Sequence, residues 1–157
     1  MISYILRKNT NEESKVFGKY FAFPVISETV ELSTLAEHMA KHNTPFSKGV
    51  IAGLLIDMVE CVKELLLQGK NVKIDDLAIF SIGIRNTKGG AESEEKFIVT
   101  KNIAGVKLRS RATGSLTPKA LMLDASLKRV TTLAPGQTIG AGGESGDDEG
   151  NDGDTRP

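Results

Sequence analysis

Apolar positions along this chain switch between a period of two and a period of three to four, and each switch marks an element. Ile2, Tyr4 and Leu6 alternate with their neighbours, and β-formers cluster again in GKYFAFPVI. This predicts two strands, with the polar NTNEESK between them as a loop. Pro24 cannot donate to a ladder, which predicts an edge position for the second strand. In LSTLAEHMAKHN the period lengthens, and Leu32, Leu35, Ala36, Met39 and Ala40 fall on one helical face. Thr34 with Glu37 fits a capping box, and Ser33 is the alternative cap. The helix is predicted to stop near Asn43, and Ser47 caps a second one over Lys48 to Gln68.

That second helix is the best-patterned segment of the chain. Val50, Leu54, Met58, Cys61 and Leu65 form one stripe, and Ile51, Leu55, Val59, Val62 and Leu66 form another beside it. So wide an apolar surface exceeds what one short helix and a small sheet can cover. It implies a larger core or a partner chain. Gly69 then supplies a left-handed stop. From 71 to 85 the period returns to two. Ala78, Phe80, Ile82 and Ile84 point one way, Ser81, Gly83 and Arg85 the other, and Asp75–Asp76 is the predicted turn. NTKGGAESEE is turn-rich. KFIVT and GVKLRSR are predicted strands, and LTPKALMLDASLKRV is a last helix with Pro118 at its first position.

From Pro135 the pattern ends: the last 23 residues hold 7 Gly and almost nothing apolar. Such a segment cannot offset its ordering entropy, which predicts disorder. The predicted organisation is an N-terminal strand extension (1–31), a central α+β domain (32–130) and a disordered Gly-rich acidic tail (131–157). No internal repeat interrupts it.

Charge sharpens this division. The chain of 157 residues is formally neutral, with 20 basic and 20 acidic side chains. Residues 86–134 hold 9 Lys and Arg against 4 acids, and residues 135–157 hold 1 against 6. Neutrality is therefore a basic region cancelled by an acidic tail. Lys107, Arg109 and Arg111 alternate, so on a strand they share one face at about 7 Å spacing, suited to a row of phosphates. Arg85, Lys88, Lys96, Lys101, Lys119, Lys128 and Arg129 complete the candidate nucleic-acid set. The bland alternative is a solvated basic face.

Other chemistry is poorly supported. No run of about 18 apolar residues predicts a membrane span, and MISYILRKNTNEE lacks the long apolar centre of a secretion signal. One cysteine permits no internal disulfide. The expectation is a cytoplasmic protein. Cys61 lies among apolar residues and is predicted to be a buried small hydrophobe, not a nucleophile. His38 and His42 have chelating spacing but no further ligand. GDDEGNDGD misses calcium-loop spacing, and GAGGESG has no strand, helix or Lys-Ser/Thr to make a phosphate loop. No cofactor, metal, small-molecule substrate or catalytic activity is expected.

The order of elements, with LAEHMA, SKGVIAGLLIDMVECVKELLLQGKNVKIDDLAIF and VKLRSRATGSLTPKAL, resembles the HU/IHF family of bacterial nucleoid DNA-binding proteins. GKNVKIDDLAIF is the most specific piece, and FGKYFAFPV and ASLKRV resemble a longer HU-related subfamily. The resemblance covers about residues 32–129. It implies an intertwined homodimer with a helical base, a β-saddle and two β-arms around double-stranded DNA, located in the nucleoid. Val50, Leu54, Met58, Val62, Leu65 and Phe80 would form the dimer interface. Typical members carry a proline wedge at the arm tip. Here no proline occurs between Pro45 and Pro118, and the segment is TKGGAESEEKF, which argues against such a wedge. The rival expectation is an HU-like dimer used for protein–protein assembly with weak or no DNA binding.

Overall fold

Alternation near the N-terminus becomes a hairpin. Strand β1 (Ile2–Lys8) pairs antiparallel with β2 (Tyr20–Ile26), Tyr4 opposite Pro24 and Lys8 opposite Tyr20. The loop between them is tied by its own polar side chains. Asn9 Oδ1 accepts from the Asn11 N–H at 2.9 Å, and Asn11 Oδ1 from the Glu13 N–H at 3.1 Å. The structure, a computed structural model, describes residues 1–141. They divide into two compact units: Met1–Thr29 with the described residues from Ala125 onward, and Val30–Asp124.

The first unit corrects three expectations. The last helix does not run on through ASLKRV. It ends at Asp124, and Leu127–Arg129 forms strand β6, parallel to β1 with Ile2 opposite Leu127. The stretch read as disordered also contributes a strand, Thr138–Ile139 (β7), antiparallel to Ile26 and Val25. Expectations for residues 142–157 lie outside the described residues. The sheet order is β6-β1-β2-β7, so β2 is not an edge strand along its whole length. Pro24 still contributes through its carbonyl, which accepts from the Gly140 N–H at 2.9 Å. All three errors have one cause, because these pairings join residues more than a hundred positions apart and leave no local pattern.

In the second unit, helix α1 (Leu32–Ala40) begins earlier than its expected caps. Glu31 is the N-cap and makes no side-chain capping bond. Glu37 is thereby free for another task, and its carboxylate bonds Lys41 at 3.0 Å and Lys48, the first residue of the next helix, at 3.1 Å. The hydrogen bonds from Lys41 and then Lys48, with their charges, hold the Glu37 carboxyl below its ordinary pKa. Helix α2 (Lys48–Leu67) starts as expected, with Ser47 Oγ accepting from the Val50 N–H. It ends in a Schellman arrangement around Gly69 at φ +77. The Gly69 N–H bonds the Leu66 carbonyl at 3.0 Å and the Lys70 N–H that of Leu65 at 3.1 Å.

Three antiparallel strands follow: β3 (Val72–Ile74), β4 (Ala78–Asn86) and β5 (Ile103–Ala112), in that order across the sheet. Asp76, at φ +59, makes the turn between β3 and β4. Its carboxylate accepts from the Ser115 N–H at 3.2 Å, while Thr113 Oγ1 donates to the Ile74 carbonyl at 3.1 Å. The turn is thus buttoned to the exit of β5, ahead of the short helix α4 (Pro118–Asp124). Gly114 is required there. It sits at φ +52, and an added Cβ would strike the Asp76 carboxylate and lie 2.9 Å from its Cα. Gly114→Ala is expected to cost about 2–4 kcal/mol, from the left-handed backbone plus overpacking. A lowered urea midpoint at unchanged m-value would show this.

Helix α2 packs on the sheet through Met58, Val62 and Leu66, against Ile74, Phe80 and Ile82, around an open apolar groove of about 390 Å³. The core is thin. Among the described residues the buried apolar side chains are Val25, Ala36, Ile51, Leu66 and Ala78, and no large side chain is fully buried.

Candidate nucleic-acid interface

Register across three strands decides which cations meet. Ile79 pairs with Arg111, Ser81 with Arg109, Gly83 with Lys107 and Arg85 with Gly105. Paired residues in a sheet share a face. Arg85, Lys107, Arg109 and Arg111 therefore stand on one side of the β4–β5 ribbon, while Phe80, Ile82, Leu108 and Val106 stand on the other. The apolar side is the one that α2 covers, so the basic side faces away from the helix. Lys107, Arg109 and Arg111 are all exposed.

The structure adds a cation that the sequence reading missed. Lys73 pairs with Ile79, which places it on the same face, in one row with Arg111. Asp75 accepts from its ammonium at 2.7 Å, and this hydrogen bond, followed by the attraction of the charges, raises the Lys73 pKa. Small residues leave room for the long ones. A Cβ on Gly83 would lie 2.8 Å from Arg109 Nε and 3.3 Å from its Cδ, so the Arg109 side chain lies across the bare glycine.

The remaining predicted cations are placed differently. The β4–β5 pairing shifts register after Arg85, and the chain beyond it folds into a compact tip. KFIVT, expected as a strand, forms part of a 3-10 turn (Glu94–Lys96) and the one-turn helix α3 (Val99–Asn102). Buried Asn102 is the reason. Its Oδ1 accepts from the Ile98 N–H at 2.8 Å and its Nδ2 donates to the Gly90 carbonyl at 2.7 Å. Thr87 closes the base by donating Oγ1–H to the Lys101 carbonyl at 3.0 Å. Lys88, Lys96 and Lys101 sit on this tip with Glu92, Glu94 and Glu95, so the tip is neutral, and Lys96 is paired with Glu92. Phe97, Ile98 and Val99 are exposed there. Lys119 lies on α4. Lys128 and Arg129 lie on β6, in the other unit, opposite Ser3 and Tyr4.

Positions predicted for a dimer interface split in two. Val50 and Leu54 are exposed, whereas Met58, Val62, Leu65 and Phe80 are half-buried, and of these Met58, Val62 and Phe80 line the groove between α2 and the sheet. Cys61 is exposed, contrary to expectation: it stands two turns on from Leu54, on the same exposed side of α2. His38 and His42 bond each other, Nε2 to Nε2 at 3.0 Å, with rings edge to face. No group of three or more metal-ligating side chains occurs among the described residues, nor any helix long and apolar enough to cross a membrane.

Residues 1–123 match the family described as an HU domain fused to wHTH, Ig, or Glycine-rich motif, HU-HIG. The chain belongs to the HU-HIG family. The N-terminal strand pair lies within the matched region, and the glycine-rich stretch follows it. No curated protein matches this HU-HIG chain. Its fold is similar to the crystal structure of a provisionally assigned bacterial DNA-binding protein from Bacteroides vulgatus ATCC 8482, with a TM-score of 0.62 at 15% identity. The alignment covers 83% of this HU-HIG chain and 48% of that one, so the chain spans about half the length of its structural relative.

Proposed function

We propose that this HU-HIG chain binds double-stranded DNA as a homodimer, largely without regard to sequence, through the basic face of β3–β4–β5. The carrying observation is the register that gathers Lys73, Arg85, Lys107, Arg109 and Arg111 on the face opposite α2. Cations that neutralise phosphates release condensed counterions, and this drives non-specific binding. The thin core and the surface of α2 favour the homodimer. Val50 and Leu54 are about half exposed on the side of α2 away from the groove, and a second copy laid against them would remove that surface from water. The two basic faces together form the saddle implied by the family resemblance, and binding of this kind places the protein in the nucleoid. Phosphate contacts, rather than a proline wedge, carry the binding, because the tip has no proline.

Anisotropy of a labelled random-sequence duplex, titrated with salt, tests this. With four contacts per protomer, log K should fall against log salt with a slope of about −7. A slope shallower than about −2, or strong preference among sequences, would contradict it. A neutral tip with Phe97, Ile98 and Val99 exposed favours a second reading, assembly with other proteins. Absence of any shift on any duplex at about 50 mM salt would select it.

A further inference from the structure

We propose that the basic face of β3–β4–β5 is also the docking surface of the chain's own acidic C-terminal segment, residues 142–157, which competes with DNA for it. This rests on the reading of that face as the DNA surface, and it adds regulation to that site. On this face Arg85, Lys107 and Arg111 make no ion pair with a described residue, while Lys73 holds Asp75. The segment supplies what the face lacks. Glu144, Asp147, Asp148, Glu149, Asp152 and Asp154 stand against Arg156 alone.

Reach agrees as well as sign. Drawn out fully, the run from 144 to 154 reaches about 35 Å, enough to pass along Lys107, Arg109 and Arg111, which stand about 7 Å apart as alternate residues of β5. Four of the other acids, Glu37, Glu60, Asp75 and Glu92, each hold a lysine. Tethering makes weak attraction sufficient. A segment on a short linker acts at an effective concentration of about 1 mM, so a dissociation constant of about 0.1 mM would weaken DNA binding about tenfold. Salt should abolish the competition, because screening shortens from about 30 Å at 0.01 M to about 8 Å at 0.15 M.

The test uses the full chain and a full-length variant in which those six carboxylates become their amides (Glu→Gln, Asp→Asn). A control variant carries six amides elsewhere, at Glu12, Glu13, Glu28, Glu31, Glu60 and Glu64, and so has the same net charge. The tail variant should bind a labelled duplex about tenfold tighter than the parent at 10 mM salt, with the gap closing by 150 mM, and the control should gain less than about twofold. Equal affinity of parent and tail variant overturns the proposal. So does an equal gain in the control, which would show net charge acting at a distance. A labelled peptide of residues 142–157 separates the two readings. Its binding to the tail variant, lost on Lys107→Ala, Arg109→Ala and Arg111→Ala, upholds the docking even where no duplex binds, and that outcome sinks the DNA reading alone. A peptide that fails to bind overturns the docking while leaving DNA binding intact.

Discussion

Lys107→Ala, Arg109→Ala and Arg111→Ala combined should weaken duplex binding at least about a hundredfold at 50 mM salt, and for all sequences alike. Two protomers would lose six phosphate contacts, so the salt slope should flatten by about 5. The fold should not suffer. All three side chains are exposed on the face away from α2, and surface substitutions of this kind change stability by about 0.5 kcal/mol or less. Thermal unfolding alongside the titration separates the two effects. A triple variant that binds like the parent would mean that DNA, if bound, sits elsewhere. Loss of binding together with a collapsed melting curve would mean that the ribbon, not its charge, had failed.

Leu54→Asp should abolish the homodimer. In a single chain Leu54 is 58% exposed on the outer stripe of α2, and a carboxylate there would meet water. A monomer would therefore accept the change within about 0.5 kcal/mol. Within the proposed dimer the same carboxylate would be buried twice, once per protomer, without a partner. Each such burial costs several kcal/mol after relaxation, which exceeds the roughly 1.5–3 kcal/mol that one buried leucine contributes. Sedimentation at micromolar concentration should show the parent as a dimer and the variant as a monomer or unfolded chain. Because the described core holds few buried side chains, far-ultraviolet circular dichroism should fall in step. A variant with parental mass and melting temperature would remove α2 from the interface.

How far these features could be read from the chain follows from the range of the interactions that fix them. The Ser47 cap, the Gly69 stop and the Asp75–Asp76 turn are local, and residue type alone located them. Alternation along β5 placed Lys107, Arg109 and Arg111 on one face for the same reason. Lys73 escaped because its face is defined only by pairing with Ile79 across a three-residue strand. KFIVT has the composition of a strand, yet Asn102, a few residues on, takes the Ile98 backbone into a turn with two hydrogen bonds and ties the Gly90 carbonyl with a third. Strands β6 and β7 exist through partners near the other end of the chain. The caps of α1 failed for a smaller reason. Leu32 already starts the helix, so Thr34 lies inside it, and Glu37 reaches for lysines instead.

The central claim is that DNA lies on the β3–β4–β5 face, and lysine acylation with and without duplex, read by mass spectrometry, addresses it most directly. Bound DNA should shield Lys107 strongly at low salt and release it at high salt, while Lys15, in the loop between β1 and β2, reacts unchanged. If Lys107 acylates at the same rate with saturating duplex as without it, and protection falls on Lys128 or on no lysine at all, the basic face is not where this protein meets DNA.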